Sequence, residues 1–454
     1  MAKKSKSRKW RWVTGGVGAA VAVGLWGVAF HSRVDIIPAA QSLPDSVGPY
    51  RAAGFYWTMA DAPHPAYSEN ENAADLLVQA EQPMTSPQTM VYSQADVPSA
   101  QQELESDTDS LKLAEVASHR PFLRYDRDWD RGSFILLKEL APEKAIVKAL
   151  CLRARCEAYS AASAMRADLA TALRLVRLYR QDSTLIAYLV EIACEDITLK
   201  AAEFCASVEH GNRTELSALA QTLKDHPFSA DMPKALKDEA YLQVATLRNL
   251  NTQQVWKALH PVRDDSGAGG SDEPAELPES EIKRSGYPDS LLSRAMLARV
   301  LQAWTRVGPA VNTLHDDPEK LAKTIDAQVE STTHNQRMSD MFTNIVFPVL
   351  SQAGEAEVRA HAMENCTLAL IGALQYQAKN GAYPSSISQI PGHWVDPFDG
   401  GKPLRLKRTE DGIRIYSLGP DRVDAGGVTQ AESEGKPYNL VAAYPPTGAK
   451  SQRL

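Results

Sequence analysis

The last hundred residues constrain this chain more tightly than any other stretch. Asn380-Gly381 is a helix-stop signal, and Pro384 blocks continuation of the helix before it. That helix carries Met363, Leu368, Leu370, Ile371, Leu374 and Tyr376 on its apolar side, which predicts a long helix from Glu355 to about Asn380. Pro391-Gly392 marks a second turn. Leu404 to Arg408 then alternates apolar and basic residues, as a half-buried strand does. Glu410-Asp411-Gly412 supplies a turn in which glycine tolerates positive φ, and Ile413 to Ser417 alternates again as the return strand. A small α+β module over 355–454 is the expected result.

The rest of the chain reads as mainly α. At 454 residues it is long enough for more than one sizeable core. From residue 111 to 350 apolar residues recur at three- and four-residue spacing, for example Ile146, Leu150, Cys151 and Ala154. Pro142 suits a helix start, and Asp182-Ser183 and His210-Gly211-Asn212 suit interhelix breaks. No fixed-period repeat is visible, so the body is expected to be a multi-helix bundle or an irregular solenoid. Residues 262–287 hold seven acids and little to bury, and read as a disordered acidic linker. Residues 31–110 read as a mostly irregular juxtamembrane region, with one short helix starting near Asn70. The five cysteines form no C-x-x-C pair and are expected to be buried thiols.

The amino terminus suggests a location. Residues 1–12 carry six positive charges and form a basic cytoplasmic segment; residues 13–30 carry no charge. Eighteen residues of helix span roughly 27 Å, close to the bilayer core. The expected arrangement is a single-pass transmembrane anchor in the inner (cytoplasmic) membrane, amino terminus cytoplasmic and body periplasmic. A cleaved signal peptide is the alternative, but no small-x-small site follows Phe30. The formal charge is −7 in spite of that basic start, so the body is strongly acidic. Phosphate binding needs a basic surface, which argues against nucleic acid as a partner. The lipid bilayer and other envelope proteins are the partners expected instead.

The order Gly381, Tyr383-Pro384, then Asp396-Pro397-Phe398, then the 404–408 strand, then Tyr416-Ser417-Leu418-Gly419-Pro420-Asp421 resembles the periplasmic domain of type II secretion major pseudopilins. The whole layout resembles membrane-anchored bacterial envelope proteins that join a helical body to such a tail. The resemblance covers about a fifth of the chain. It implies a calcium-binding loop, and the matching positions are the Leu418 carbonyl and the Asp421 carboxylate, with Asp424 a nearby further carboxylate. The family's later acidic pair has no aligned counterpart; Glu432 and Glu434 lie in a segment that departs from the pattern. The amino-terminal helix also departs, since it has no glutamate and lies over 300 residues from the module.

Catalytic patterns are weak. Ser207, His210 and Asp231 lack a G-x-S-x-G elbow, and His361 with Glu364 suits a solvated helix face. The mixed-charge aromatic run Arg124 to Arg131 reads as a salt-bridged helix entry or a recognition surface. The expected function is a non-enzymatic, membrane-anchored interaction scaffold with a pseudopilin-like tail. The alternatives are a component or regulator of a type II secretion or pilus-like system, and an envelope hydrolase.

Overall fold

A computed structural model describes residues 32–63, 67–82, 84–182, 184–228, 231–251, 253–254, 287–314, 317–333 and 337–446. The basic segment 1–12, the expected anchor 13–30 and the linker 262–287 apart from Tyr287 lie outside these residues. Among the described residues no helix is long and apolar enough to cross a membrane. The chain is mainly helical, with a small antiparallel sheet region at its carboxyl end.

Residues 31–110 differ from expectation. They hold α1 (Ile37–Gln41), α2 (Leu43–Ala52), α3 (Ala74–Glu81), α4 (Val97–Leu104) and the start of α5 (Thr108–Ser118). These helices are short and rich in Pro, Ser and Gln, so they have little stability of their own. Tertiary packing supplies it. Leu43, Tyr50 and Phe55 are buried in one core with Trp304, and the Phe55 and Trp304 rings meet edge to face at 5.3 Å. Gln302 donates to the hydroxyls of Ser42 and Ser46 at 3.1 and 3.3 Å. The segment belongs to the body. The short helix near residue 70 starts at Ala74 and docks on the body as a strap: the Ala73 N–H donates to the Phe122 carbonyl at 2.7 Å.

The body continues with α6 (Leu140–Glu157), α7 (Ala162–Tyr179), α8 (Leu185–Val208), α9 (Arg213–Asp225) and α10 (Met232–Asn249). Their boundaries follow local chemistry. Thr184, Asn212 and Asp231 cap α8, α9 and α10 by accepting hydrogen bonds from the N–H groups of Ala187, Glu215 and Lys234. Ala145, Ala149, Ala154, Ala172 and Ala202 are fully or almost fully buried, and their small side chains let α6, α7 and α8 approach closely. All five cysteines are buried free thiols within the helices. Next come α11 (Leu291–Thr313), α12 (Pro318–Thr333) and α13 (Met341–Asn380).

The expected boundary between body and tail falls inside α13. This 40-residue helix starts at Met341, not near Glu355, and ends on Gly381 at φ +74°. One stretch of it packs against α8, α9 and α12, and its last turns carry the sheet. The hairpin is as the alternation predicts: β3 (Arg405–Arg408) pairs antiparallel with β4 (Ile413–Ser417), Arg408 opposite Ile413. β5 (Leu440–Tyr444) adds a third strand on β4, Ser417 opposite Leu440. A two-residue pair, β1 (Val395–Asp396) and β2 (Lys402–Pro403), precedes them. Cys366, Ala369, Leu370 and Ala373 of α13 fill a core under Ile413, Ile415 and Ala442. On an adjoining face of the same turns, Leu368, Ile371 and Leu374 are buried in the body's own core. The tail thus shares its helix with the body.

Candidate functional site

The loop expected to bind calcium is closed by protein donors. The Leu418 carbonyl accepts from Asn439 Nδ2 at 3.1 Å, and the same amide donates to the Val423 carbonyl at 2.9 Å. Asp421 is exposed and accepts from the Val423 N–H at 3.1 Å, shaping its own turn. Asp424 accepts from Arg405 Nε at 3.1 Å, from the Tyr416 hydroxyl at 3.2 Å and from the Gly426 N–H at 2.9 Å. Arg405 also reaches Asp399 at 2.7 Å and the fully buried Asp396 at 3.4 Å. A guanidinium therefore supplies the positive charge among three carboxylates. Leu418, Asp421 and Asp424 are each committed to a different protein donor, and this donor set does not fit a calcium cage. Among the described residues no group of three or more His, Cys, Asp or Glu side chains is arranged to hold a metal ion. Glu432 pairs with Arg414 at 2.7 Å, which holds its carboxyl down at about 2.

A better site lies in the body. A half-open cleft of about 530 Å³ forms where residues 56–63, Tyr67, residues 122–129, the turn after α7 and the first turns of α10 meet. Its volume falls in the range of small-molecule sites. Tyr56, Tyr67, Phe122, Tyr125 and Trp129 give it aromatic walls, and the Tyr67 and Phe122 rings lie 5.7 Å apart. The 122–124 wall is fixed by its backbone. The Leu123 N–H donates to Gln181 Oε1 at 3.2 Å, and Asn72 clamps Arg124 through its N–H and carbonyl, both at 2.9 Å.

Arg127 forms part of the lining. Its side chain is 5% exposed, pairs with Glu139 and Asp182, and lies 5.3 and 5.9 Å from the ring centres of Tyr125 and Trp129. The mixed-charge run is thus both a salt-bridged segment and a surface of the cleft. Behind the wall the Tyr125 hydroxyl lies 2.8 Å from Glu143 and 3.2 Å from Glu81. A phenol has one proton to donate, so the second contact is a hydrogen bond only when that carboxyl is protonated. Burial supplies the condition: it pushes Glu81 up to about 7 and Glu143 well above the usual carboxylate range.

The weak catalytic patterns separate. Ser207 donates to the Phe204 carbonyl at 2.7 Å, His210 meets the Tyr383 hydroxyl at 3.1 Å, and Asp231 caps α10. His210 also stacks on Tyr444 at 4.4 Å, so it serves the contact between body and tail. His361 and Glu364 are half-buried instead of lying on a fully solvated face. Phe228 covers them, its ring 4.8 Å from His361 and its N–H donating to Glu364 at 3.0 Å. Of the cleft residues, the sequence marks the 124–131 run as a candidate recognition surface and names Asp182 and Asp231 only in other connections; these partners lie far away along the chain. Comparison with protein-family models, with curated proteins and with solved structures finds no match.

Proposed function

We propose that this chain is a non-enzymatic binding protein of the bacterial envelope. Residues 13–30 would hold it at the membrane, and its helical body would present the aromatic cleft to a partner. The observation that carries this reading is the cleft itself: five aromatic rings and both signs of charge converge on a wall fixed by backbone hydrogen bonds. Rigid aromatics with polar groups at fixed places are what recognition sites use. The nearby carboxyls are engaged structurally, Asp182 by Arg127 and Asp231 by the cap of α10, which favours binding over hydrolysis. The tail is read as a buttress. Assembly through a pilus-like fibre has less support, because the body covers much of α13.

Proximity labelling from the full chain in its own cells tests this. The reading expects a membrane fraction and a set of labelled neighbours that shrinks when Lys237→Glu or Tyr67→Ala alters the cleft. An unchanged set, or a chain found only in the soluble fraction, would contradict it.

A further inference from the structure

The cleft has more donors to offer than acceptors. Arg127 Nε is buried and has no acceptor among the described residues, although the two Nη atoms are ion-paired. A buried donor without a partner costs free energy, which a ligand acceptor would recover. Arg124 is exposed at the rim, and the side chains of Arg124 and Lys237 have no ion pair or hydrogen bond among the described residues. The other cation, Lys234, is committed: its Nζ donates to the Gln181 carbonyl at 2.6 Å. Among the acids of the lining, Asp182 is held by Arg127 and Asp231 accepts the Lys234 N–H. Asp238 is buried on the α10 wall and has a partner of its own. The side-chain groups without a partner are thus cationic, and they line the same cleft as Tyr56, Tyr67 and Phe122.

We propose that the cleft takes a carboxylate attached to a planar ring. The carboxylate would meet Lys237, Arg124 and the Arg127 Nε–H, and the ring would lie against the aromatic wall. Two sources share this chemistry, a free aromatic acid and a polypeptide that ends in an aromatic residue. The inference rests on the cleft being the binding site, and it names what binds there.

Calorimetric titration of the full chain tests it with N-acetylphenylalanine as the probe. Saturable binding is expected with a dissociation constant on the order of 1 mM or tighter, as suits a ligand of this size. N-acetylphenylalanine amide lacks the charge and N-acetylalanine lacks the ring, so each should bind at least about ten-fold more weakly. Lys237→Ala and Arg124→Ala should each weaken the acid about ten-fold at an unchanged melting temperature, since neither side chain has a partner to lose. Phenylacetate binding more tightly than Gly-Gly-Phe would assign a free acid; the reverse order would assign a chain terminus. No saturable binding of the acid, or equal binding of acid and amide, would overturn the proposal. If the cleft variants still changed the labelled neighbours in cells, only the ligand class would fall. If neither experiment responded to the cleft, the binding reading would fall with it.

Discussion

Arg405 changes how the tail's acidic loop is understood. The loop's acids are visible in the sequence, but their cation comes from a strand that the alternating pattern marks only as half-buried and basic. Its guanidinium joins Asp396, Asp399 and Asp424, of which Asp396 is fully buried and also accepts from the Ser417 hydroxyl at 2.7 Å. Removing the cation leaves carboxylates facing one another. Arg405→Met is expected to cost about 2 kcal/mol, below the full cost of breaking a buried pair because Arg405 is partly exposed. Calcium should raise the melting temperature of this variant and leave the wild type unchanged; an equal response in both would contradict the arginine-closed loop. Glu81 carries a second prediction. Its carboxyl is pushed up from 4.5 to about 7 by burial, so the folded chain holds a proton there that the unfolded chain releases. The resulting stability is complete below about pH 4.5 and is lost as pH rises through 7, a change on the order of 3 kcal/mol. Among the groups around it, Glu143 is raised by burial in the same way, and the Tyr125 hydrogen bond, which acts in the opposite direction, offsets the burial of Glu81 only in part. Glu81→Gln retains a hydrogen-bonding side chain and does not titrate. Melting curves from pH 5 to 8 should therefore fall less steeply for the variant than for the wild type; parallel curves would contradict the shared proton.

At the scale of elements, what was legible was local. The β3–β4 hairpin, the stop at Gly381 and the starts of α8 and α9 were readable because turn and cap chemistry lies within a few residues of the element it sets. β5 was not. Its Leu440–Tyr444 sequence is apolar throughout and becomes a strand because it pairs with β4, over twenty residues earlier. Apart from the short helix near residue 70, the helices of residues 37–104 are not legible locally for a related reason: Leu43 and Tyr50 find their core against α11, about 250 residues away. The continuity of α13 across Glu355 is not legible, because the turns on either side carry the same apolar period as the separate body helices. Gly372 shows what the shared helix requires. A Cβ there would lie 2.5 Å from Ile390 Cγ2, so a residue without a side chain lets the tail's 387–390 turn close on α13. The cleft was the least legible feature, since it is assembled from four separate segments spread over residues 56–238.

Across the whole molecule, body and tail share α13 as one structural unit, with the cleft on the body. Ile371 and Leu370 are neighbours on α13, yet Ile371 is buried in the body core and Leu370 under the sheet. Tyr383 and Tyr444 extend the contact through His210. A tail joined in this way is expected to unfold together with α13 and the body. Scanning calorimetry of the full chain with Ile415→Ala in the tail core and Ile146→Ala in the body core tests this directly. Both side chains are fully buried, and each truncation should cost about 2–5 kcal/mol. Both variants should lower the same transition. A separate tail transition that Ile415→Ala lowers, with the body transition left in place, would contradict it.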